Sequence, residues 1–575
     1  MTSDGEANES DTTAVEARPP TREELRAAIR VLEALADDRG ALAGVSEEER
    51  RRLLVAAGRV SRPERAEQRK LAKAFRRKER DEDRAHDEEL CDETGIRAGR
   101  RALVFATPAA PVGALPEAPA EPPSQVVDAP PSSPRVEVAE PPSGPGSRPG
   151  LRDGEPPSAP GPGSRPGLRD GEPPSAPGPE LREPRKCYVC KAAYRRLHFF
   201  YDQLCVPCGD FNHRKRAQTA PLDGRVALIT GSRVKIGYQA GILLLRAGAR
   251  LVVTTRFPHD AAERYAREVD HDAWKDRLDI YGLDLRHTPS VELFAQHLGQ
   301  RLDRLDFVLH NACQTVRRPS GFYTHLMEGE LRPLSALPAQ ARPLLQAYDE
   351  LRRSAEPRAL APSAPFRHAE AGLRDAALLS QAPLAPEDTA LTGRLDIFPE
   401  GRLDQDLQQV DLRETNSWRL KLADVPTLEL LEVQLVNAIA PFVLNARLKA
   451  LMLRAPSRDK HIVNVSAMEG QFYRDFKTDR HPHTNMAKAA LNMMTRTSAA
   501  DYAKDGIHMN SVDTGWVTDE DPALIAARKQ EEHGFHPPLD IVDGAARIVD
   551  PIFAGFLSGT HASGQFFKDY FPTSW

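Results

Sequence analysis

From about Pro221 to Trp575 the sequence predicts an α/β fold, a parallel sheet with helices on both faces. Three observations predict it. Short apolar runs, VALIT at 226–230 and ARLVVTT at 249–255 first among them, alternate with helical stretches. Several of these runs are apolar throughout, as in strands covered on both faces. The first run also passes through a glycine-rich turn straight into a helix, whose free N-terminal amides can receive a phosphate.

After the strand at 226–230 comes Thr230-Gly-Ser-Arg-Val-Lys-Ile-Gly237, then a helix over 238–247 and the strand at 249–255. DIYGLDL (279–285), DFVLHNA (306–312), HIVNVSA (461–467) and IHMNSVD (507–513) are the further strands, the last preceded by a long helix from about Thr484. Roughly 115 residues separate His310 from the helix that starts near Leu428. That is too long for an ordinary loop, so about 320–425 reads as an insertion, partly disordered, its middle rich in Ala, Pro and Arg.

Upstream, residues 1–20 read as disordered and 21–104 as a charged helical region. Leu25, Ile29, Leu32 and Leu35 recur at helical spacing, and Thr21 with Glu24 and Ser46 with Glu49 have capping-box spacing. The basic run Arg69, Lys70, Lys73, Arg76, Arg77 and Lys78 reads as a solvated face or as a docking surface for an acidic protein partner. Residues 105–184 form a Pro/Gly-rich linker, in which GPGSRPGLRDGEPPSAP at 144–160 recurs unchanged at 161–177. Such a unit cannot bury a core. A net charge of −5 gives no global case for nucleic acid. No apolar run of membrane-spanning length is seen and the polar N-terminus lacks an apolar signal core, so no membrane association and a cytoplasmic location are expected. The large α/β domain is a surface through which the chain could self-associate.

Between linker and α/β domain, residues 185–220 hold Cys187-Tyr-Val-Cys190 and Cys205-Val-Pro-Cys208. Four thiolates in two such knuckles suit tetrahedral zinc, which would hold together a module too small for its own core. A dithiol redox pair needs only one C-x-x-C. The second pair opens an apparent helix, so the module resembles a treble-clef zinc finger. His198 and His213 are further imidazoles nearby, and His213-Arg-Lys-Arg216 is a short run that could touch phosphate.

The glycine turn carries the main resemblance. Thr230-Gly-Ser-Arg-Val-Lys-Ile-Gly237 resembles the T-G-x-x-x-G-x-G of the short-chain dehydrogenase/reductase family, with Lys235 in place of the middle glycine. A basic residue there is also found in the pteridine-reductase branch. The resemblance implies a Rossmann fold, a doubly wound parallel sheet, and a dinucleotide held by Gly231, Arg233, Lys235, Ile236 and Gly237. Asp284 and Leu285 match the family's adenine contact. His310-Asn311-Ala312-Cys313 stands for N-N-A-G, which puts Asn311 at the cofactor. Gly515 and Thr518 match the nicotinamide end of N-x-V-x-P-G-x-x-x-T, with Thr514 for Pro and Thr518 one residue early. NAD-specific members have an acid after the second strand. Here Thr254-Thr255-Arg256 stands instead, and Arg256 with Arg233 or Lys235 would favour a 2′-phosphate, so NADP(H) is expected rather than NAD.

The catalytic pattern departs from the family. Lys488 matches the lysine of Tyr-x-x-x-Lys, which holds the nicotinamide ribose, but Thr484 stands at the tyrosine. Ala467 takes the serine position, with Ser466 one residue earlier, and Asn437 matches the catalytic-helix asparagine that orders a proton-relay water. Tyr473 and Lys477 repeat the Tyr-x-x-x-Lys spacing but lie too close to the preceding strand. Thr484 is a poor proton donor near neutral pH. His481, two helical turns before Lys488, Tyr473, folding over the cofactor, or His483 could supply the proton. The reading is an NADP(H)-dependent oxidoreductase acting on a small carbonyl or imine-like substrate. The alternative is a dinucleotide-binding scaffold that has lost catalysis and recruits partners through its zinc module and N-terminal helices.

Overall fold

The computed structural model describes residues 20–109, 178–354, 371–473 and 477–575. The 17-residue repeat lies outside the described residues. The chain divides into two compact units, Met1–Asp83 and Arg84–Trp575. In the first, helices α1 (Arg22–Asp37) and α2 (Glu47–Ser61) start at Thr21 and Ser46 with both capping boxes formed. Neither helix buries a residue. Leu25, Ile29 and Leu32 of α1 are exposed.

A third helix, α3 (Arg65–Asp92), runs from the first unit into the second. Its last turns, with α4 (Gly95–Arg101), belong to the cysteine module rather than to the helical region in which the sequence placed them. Asp87 accepts from the Arg182 and Glu183 amides at 2.7 and 2.9 Å, and buried Arg97 pairs with Asp202 at 2.7 Å. The module is a hairpin, β1 (Glu180–Lys186) and β2 (Ala193–Arg196), followed by α5 (Val206–Ala217). It therefore begins inside the last residues assigned to the linker.

The main sheet has eight strands: β3 (Val226–Thr230), β4 (Arg250–Thr255), β5 (Leu278–Gly282), β6 (Phe307–His310), β7 (Lys460–Ser466), β8 (Ile507–Asp513), β9 (Phe566–Lys568) and β10 (Phe571–Thr573). Their order is β10-β9-β8-β7-β6-β3-β4-β5, parallel except for β10 on β9. This is the doubly wound Rossmann arrangement, and β3 and β6, neighbours but not consecutive, mark its switch point. Parallel neighbours are joined by crossover connections, which carry the helices that cover the sheet. α6 (Lys235–Arg246) packs on α11 (Ile541–Ser558). α7 (Thr288–Arg301) packs on α9 (Ala440–Met452), while α8 (Thr427–Gln434) meets α10 (Pro482–Lys504). Leu228, Ile229, Val253, Leu309, Ile462 and Val463 are wholly buried between these layers.

The stretch Thr427–Met452 is apolar and long enough to cross a membrane by length and composition alone. It buries Glu429, Glu432 and Asn437 and packs within the α/β domain, so its apolarity serves the core. At Leu435–Ile439 it loosens into one π-helical turn centred on Asn437. The described residues of the insertion join two apolar clusters that its composition did not mark. Its described residues bury Leu344, Leu345 and Tyr348 beside β5, and Phe322, Tyr323, Leu326 and Phe398 around Phe257. Residues 355–370 lie outside the described residues.

The module is fastened to α11 by buried polar contacts. Tyr201 Oη donates to Asp543 at 2.5 Å, Arg216 pairs with Asp540 at 2.5 Å and Asp543 at 3.0 Å, and Lys215 pairs with Asp550 at 2.6 Å. Wholly buried Arg547 donates to Asn212 Oδ1 at 2.7 Å and reaches Asp569 at 3.4 Å. Removing one partner of such a pair strands the other charge without solvent. Arg547→Ala is expected to cost on the order of 3–5 kcal/mol, read as a lowered midpoint in urea or thermal unfolding. An unchanged midpoint would show that the network does not carry this interface.

Candidate functional site

The glycine turn lies at the switch point. Gly231 has φ 69°, and a Cβ there would meet Ala312 Cα at 2.7 Å. A Cβ on Gly237 would lie 2.2 Å from Asn311 Nδ2 and 2.4 Å from Gly231 O. Asn311 Nδ2 donates to Gly231 O at 2.9 Å and Thr230 O at 3.2 Å, and the Ala312 amide donates to Thr230 Oγ1 at 3.1 Å. Asn311 therefore fixes the turn with its side chain. Lys235, standing for a glycine, takes a glycine's conformation with φ 56°. An L-residue pays roughly 1–2 kcal/mol for that.

A cleft of about 390 Å³ opens over this turn. Its wall includes Gly231, Arg233, Lys235, Ile236, Gly237, Arg256, Asp284, Leu285, Asn311 and Thr518, so these predicted residues come together. Their charges are spent differently than the sequence implied. Arg233 is bound to Asp260 at 2.6 Å and to Gln408 at 3.2 Å. Burial alone would lower the Lys235 ammonium, but Glu520, Asp406 and Asp404 around it hold it above its ordinary range. Asp284 pairs with Arg286 at 2.7 Å, and Arg286 also binds Glu432 at 2.9 Å. Arg256 has a phenol for its hydrogen-bond partner, Tyr323 Oη at 2.7 Å, and lies over the Tyr323 ring at 4.6 Å. Burial would raise that phenol, but Arg256 outweighs it and holds Tyr323 below its usual value. Tyr323, Gln408 and Asp404 come from the insertion, where no motif pointed to them.

The predicted catalytic residues are not part of that wall. Lys488 is buried and its Nζ donates to Val465 O at 2.8 Å. Asn437 grips the Gln314 backbone, accepting from its amide at 2.8 Å and donating to its carbonyl at 3.2 Å. His481 caps α10 with φ 40°, stacked on Trp418 with ring centroids 3.8 Å apart, and burial draws its imidazole down to about 4. That ring is committed to packing, against the expectation that it faces a substrate. Tyr473 is 84% exposed and does not fold inward. His483 lies 3.3 Å from Glu429 between α10 and α8. Ser466 Oγ and Thr484 Oγ1, both buried, have no hydrogen-bond partner among the described residues. Gly515, at φ 77°, lies beside Tyr188 of the cysteine module.

In that module Cys187, Cys190, Cys205 and Cys208 bring their sulfurs within 4.8 Å of one another, Cys190 and Cys205 to 3.7 Å. Cys205 caps α5, as the helix-opening second knuckle required. His198 is turned to other work. Its Nδ1 accepts from the Phe200 and Tyr201 amides at 3.0 and 3.2 Å, and its Nε2 faces Asp210 at 3.3 Å. Lys215 and Arg216 of the basic run are taken up by α11, not held out for phosphate.

Fold and cleft define a doubly wound α/β domain with a glycine-turn nucleotide site. Residues 225–326 match the family described as short chain dehydrogenase, and residues 415–536 that described as Enoyl-(Acyl carrier protein) reductase. These matches mark the α/β domain as a divergent short-chain dehydrogenase/reductase domain, with most of its insertion between the two matched segments. The chain is 29% identical over 383 residues to an uncharacterized protein of Acanthamoeba polyphaga mimivirus, covering 64% of this chain and 71% of that one. It is 31% identical over 114 residues to retinol dehydrogenase 12 of Bos taurus, but covers only 36% of that relative and 19% of itself. Among solved structures it is similar to the Pseudomonas aeruginosa RhlG/NADP active-site complex, with 17% identity, 60% of this chain, 94% of that chain and a TM-score of 0.37.

The close approach at the turn predicts opposite signs for two glycine substitutions. Gly237→Ala pushes a methyl into backbone and Asn311, and should cost about 1–3 kcal/mol. Gly299→Ala adds a methyl to open space on α7 and should gain roughly 0.5–1 kcal/mol. Urea unfolding of both variants checks this; equal effects would mean that the turn is not tightly packed.

Proposed function

We propose that this chain is an NADP(H)-dependent oxidoreductase that reduces a carbonyl or imine-like group of a small molecule. The observation that carries the reading is Arg256 at the end of β4. It lies in the cleft wall with an aromatic cradle and a phenol beside it, at the end of a strand where no acid stands. A guanidinium so placed suits a 2′-phosphate and disfavours the acid-based recognition of an unphosphorylated ribose. The turn amides and the start of α6 would take the pyrophosphate. The bound nicotinamide would supply or accept the hydride. Ser466 Oγ and Thr484 Oγ1, buried near Lys488 without partners among the described residues, favour a site that takes up a substrate oxygen or an ordered water. Lys488 would then exchange its bond to Val465 O for the ribose hydroxyls.

A second reading is favoured by a specific observation. Lys488 is already satisfied by backbone, and the cleft wall lacks Ser466, His481, Thr484 and Lys488. A scaffold that binds the dinucleotide without turning it over has this arrangement. In both readings the four cysteines hold one structural zinc. Sulfurs on a tetrahedron with ~2.3 Å Zn–S bonds stand about 3.8 Å apart, close to the 3.7 Å between Cys190 and Cys205.

NADPH should bind more tightly than NADH, and Arg256→Asp should erase or reverse the preference, a change of about ten- to a hundred-fold in the ratio of dissociation constants. Equal affinities in the unmodified protein would remove the argument from Arg256. Nicotinamide oxidation across a carbonyl panel separates the enzyme from the scaffold. The purified protein should also carry about one zinc per chain, read by atomic absorption; a metal-free protein of full stability would exclude a structural zinc.

A further inference from the structure

The cysteine module and the loop after β8 meet at one side chain. Tyr188 stands between Cys187 and Cys190, and its amide donates to Gln203 O at 2.9 Å, so the knuckle fixes where the ring emerges. Its Oη accepts from the Trp516 amide at 3.0 Å and lies 3.4 Å from where a Cβ on Gly515 would stand. Lys568 Nζ sits 5.2 Å over the ring and pairs at 3.2 Å with Asp513, the last residue of β8. The turn at Gly515, with φ 77°, is thus gripped where it leaves the strand.

The same module holds the far end of this loop. Gln203 Nε2 donates to His536 O at 2.6 Å, and Arg216 and Tyr201 bind Asp540 and Asp543 at the start of α11. Between these anchors run Thr518 and Glu520, both in the cleft wall, with Glu520 facing Lys235. The loop therefore leaves and re-enters the domain on the module.

We propose that Tyr188 is a positioning residue. The four-cysteine module uses this phenol to hold the Gly515–Trp516 turn in the conformation that receives the nicotinamide end of the dinucleotide, and so couples the order of the module to cofactor affinity. This rests on the NADP(H) reading. The Tyr188 hydroxyl is bonded to the turn, at the Trp516 amide, so its loss reaches the nicotinamide end and leaves the adenosine end, around Arg256, untouched.

The test uses the full chain with its metal content measured. Tyr188→Phe keeps the ring and its packing and removes the hydroxyl that accepts from Trp516. NADPH affinity, read by fluorescence, should fall about 3- to 10-fold. The affinity of adenosine 2′,5′-bisphosphate, which carries only the adenosine end, should stay unchanged, as should metal content. Without any nucleotide, amide exchange at Trp516 should quicken by a similar factor. Unchanged exchange at Trp516, unchanged NADPH affinity, or equal weakening of both nucleotides would overturn the positioning role. An unmodified protein that binds neither nucleotide would overturn the cofactor reading and this coupling together, whereas tight NADPH binding untouched by Tyr188→Phe would overturn the coupling alone.

Discussion

The close contact of Gly237 with Asn311 and Gly231 O is the constraint on which the α/β domain depends. It brings the end of β3, the first turn of α6 and the end of β6 into one point. Only residues without a Cβ fit at two places there, and only an amide at Asn311 can satisfy both Thr230 O and Gly231 O. Because the connections from β3 and β6 run to opposite sides of this point, to β4 and to β7, a cleft must open above it. Lys235 is the local exception. It holds a left-handed backbone at an energetic cost, and the strain is retained where three acids surround one ammonium.

Much of this was legible because strand and helix periods differ and glycine has few substitutes. IHMNSVD is a strand at the residues its apolar pattern marked, and Thr21 and Ser46 cap helices as their spacing required. What could not be read depended on long-range contact. β9 and β10 are three residues each, too short to show a period. Tyr323 reaches Arg256 from an insertion whose sequence is mostly Ala, Pro and Arg, because it packs with Phe257 and Phe322 rather than through a motif. The end of α3 looks like any charged helix until Asp87 is seen to cap the backbone of β1.

Charges were the least legible feature, for a physical reason. A sequence lists cations without their partners, whereas a buried cation must be paired. Arg233 resembled a phosphate ligand and is bound to Asp260. Lys215 and Arg216 resembled a phosphate-binding run and fasten the module to α11. Arg256 differs from them in kind: its partners are aromatic faces and a phenol, which a phosphate can displace or join without stranding a carboxylate.

The same reasoning bears on catalysis. In a site that has merely decayed, losing the catalytic Tyr and Ser leaves space that packing tends to fill with apolar side chains, since an unpaired buried hydroxyl costs about 1–3 kcal/mol. Here Thr484 and Ser466 keep hydroxyls on buried positions of α10 and β7, near an asparagine held in a π-turn. π-Turns inside helices concentrate at functional sites, because the extra residue disturbs the ladder and is retained only when it aims something. Asn437 aims at the Gln314 backbone, and Gln314 lies in the cleft wall. On the oxidoreductase reading proposed above, the hydroxyls kept beside Lys488 suit a site whose proton does not come from a phenol on α10.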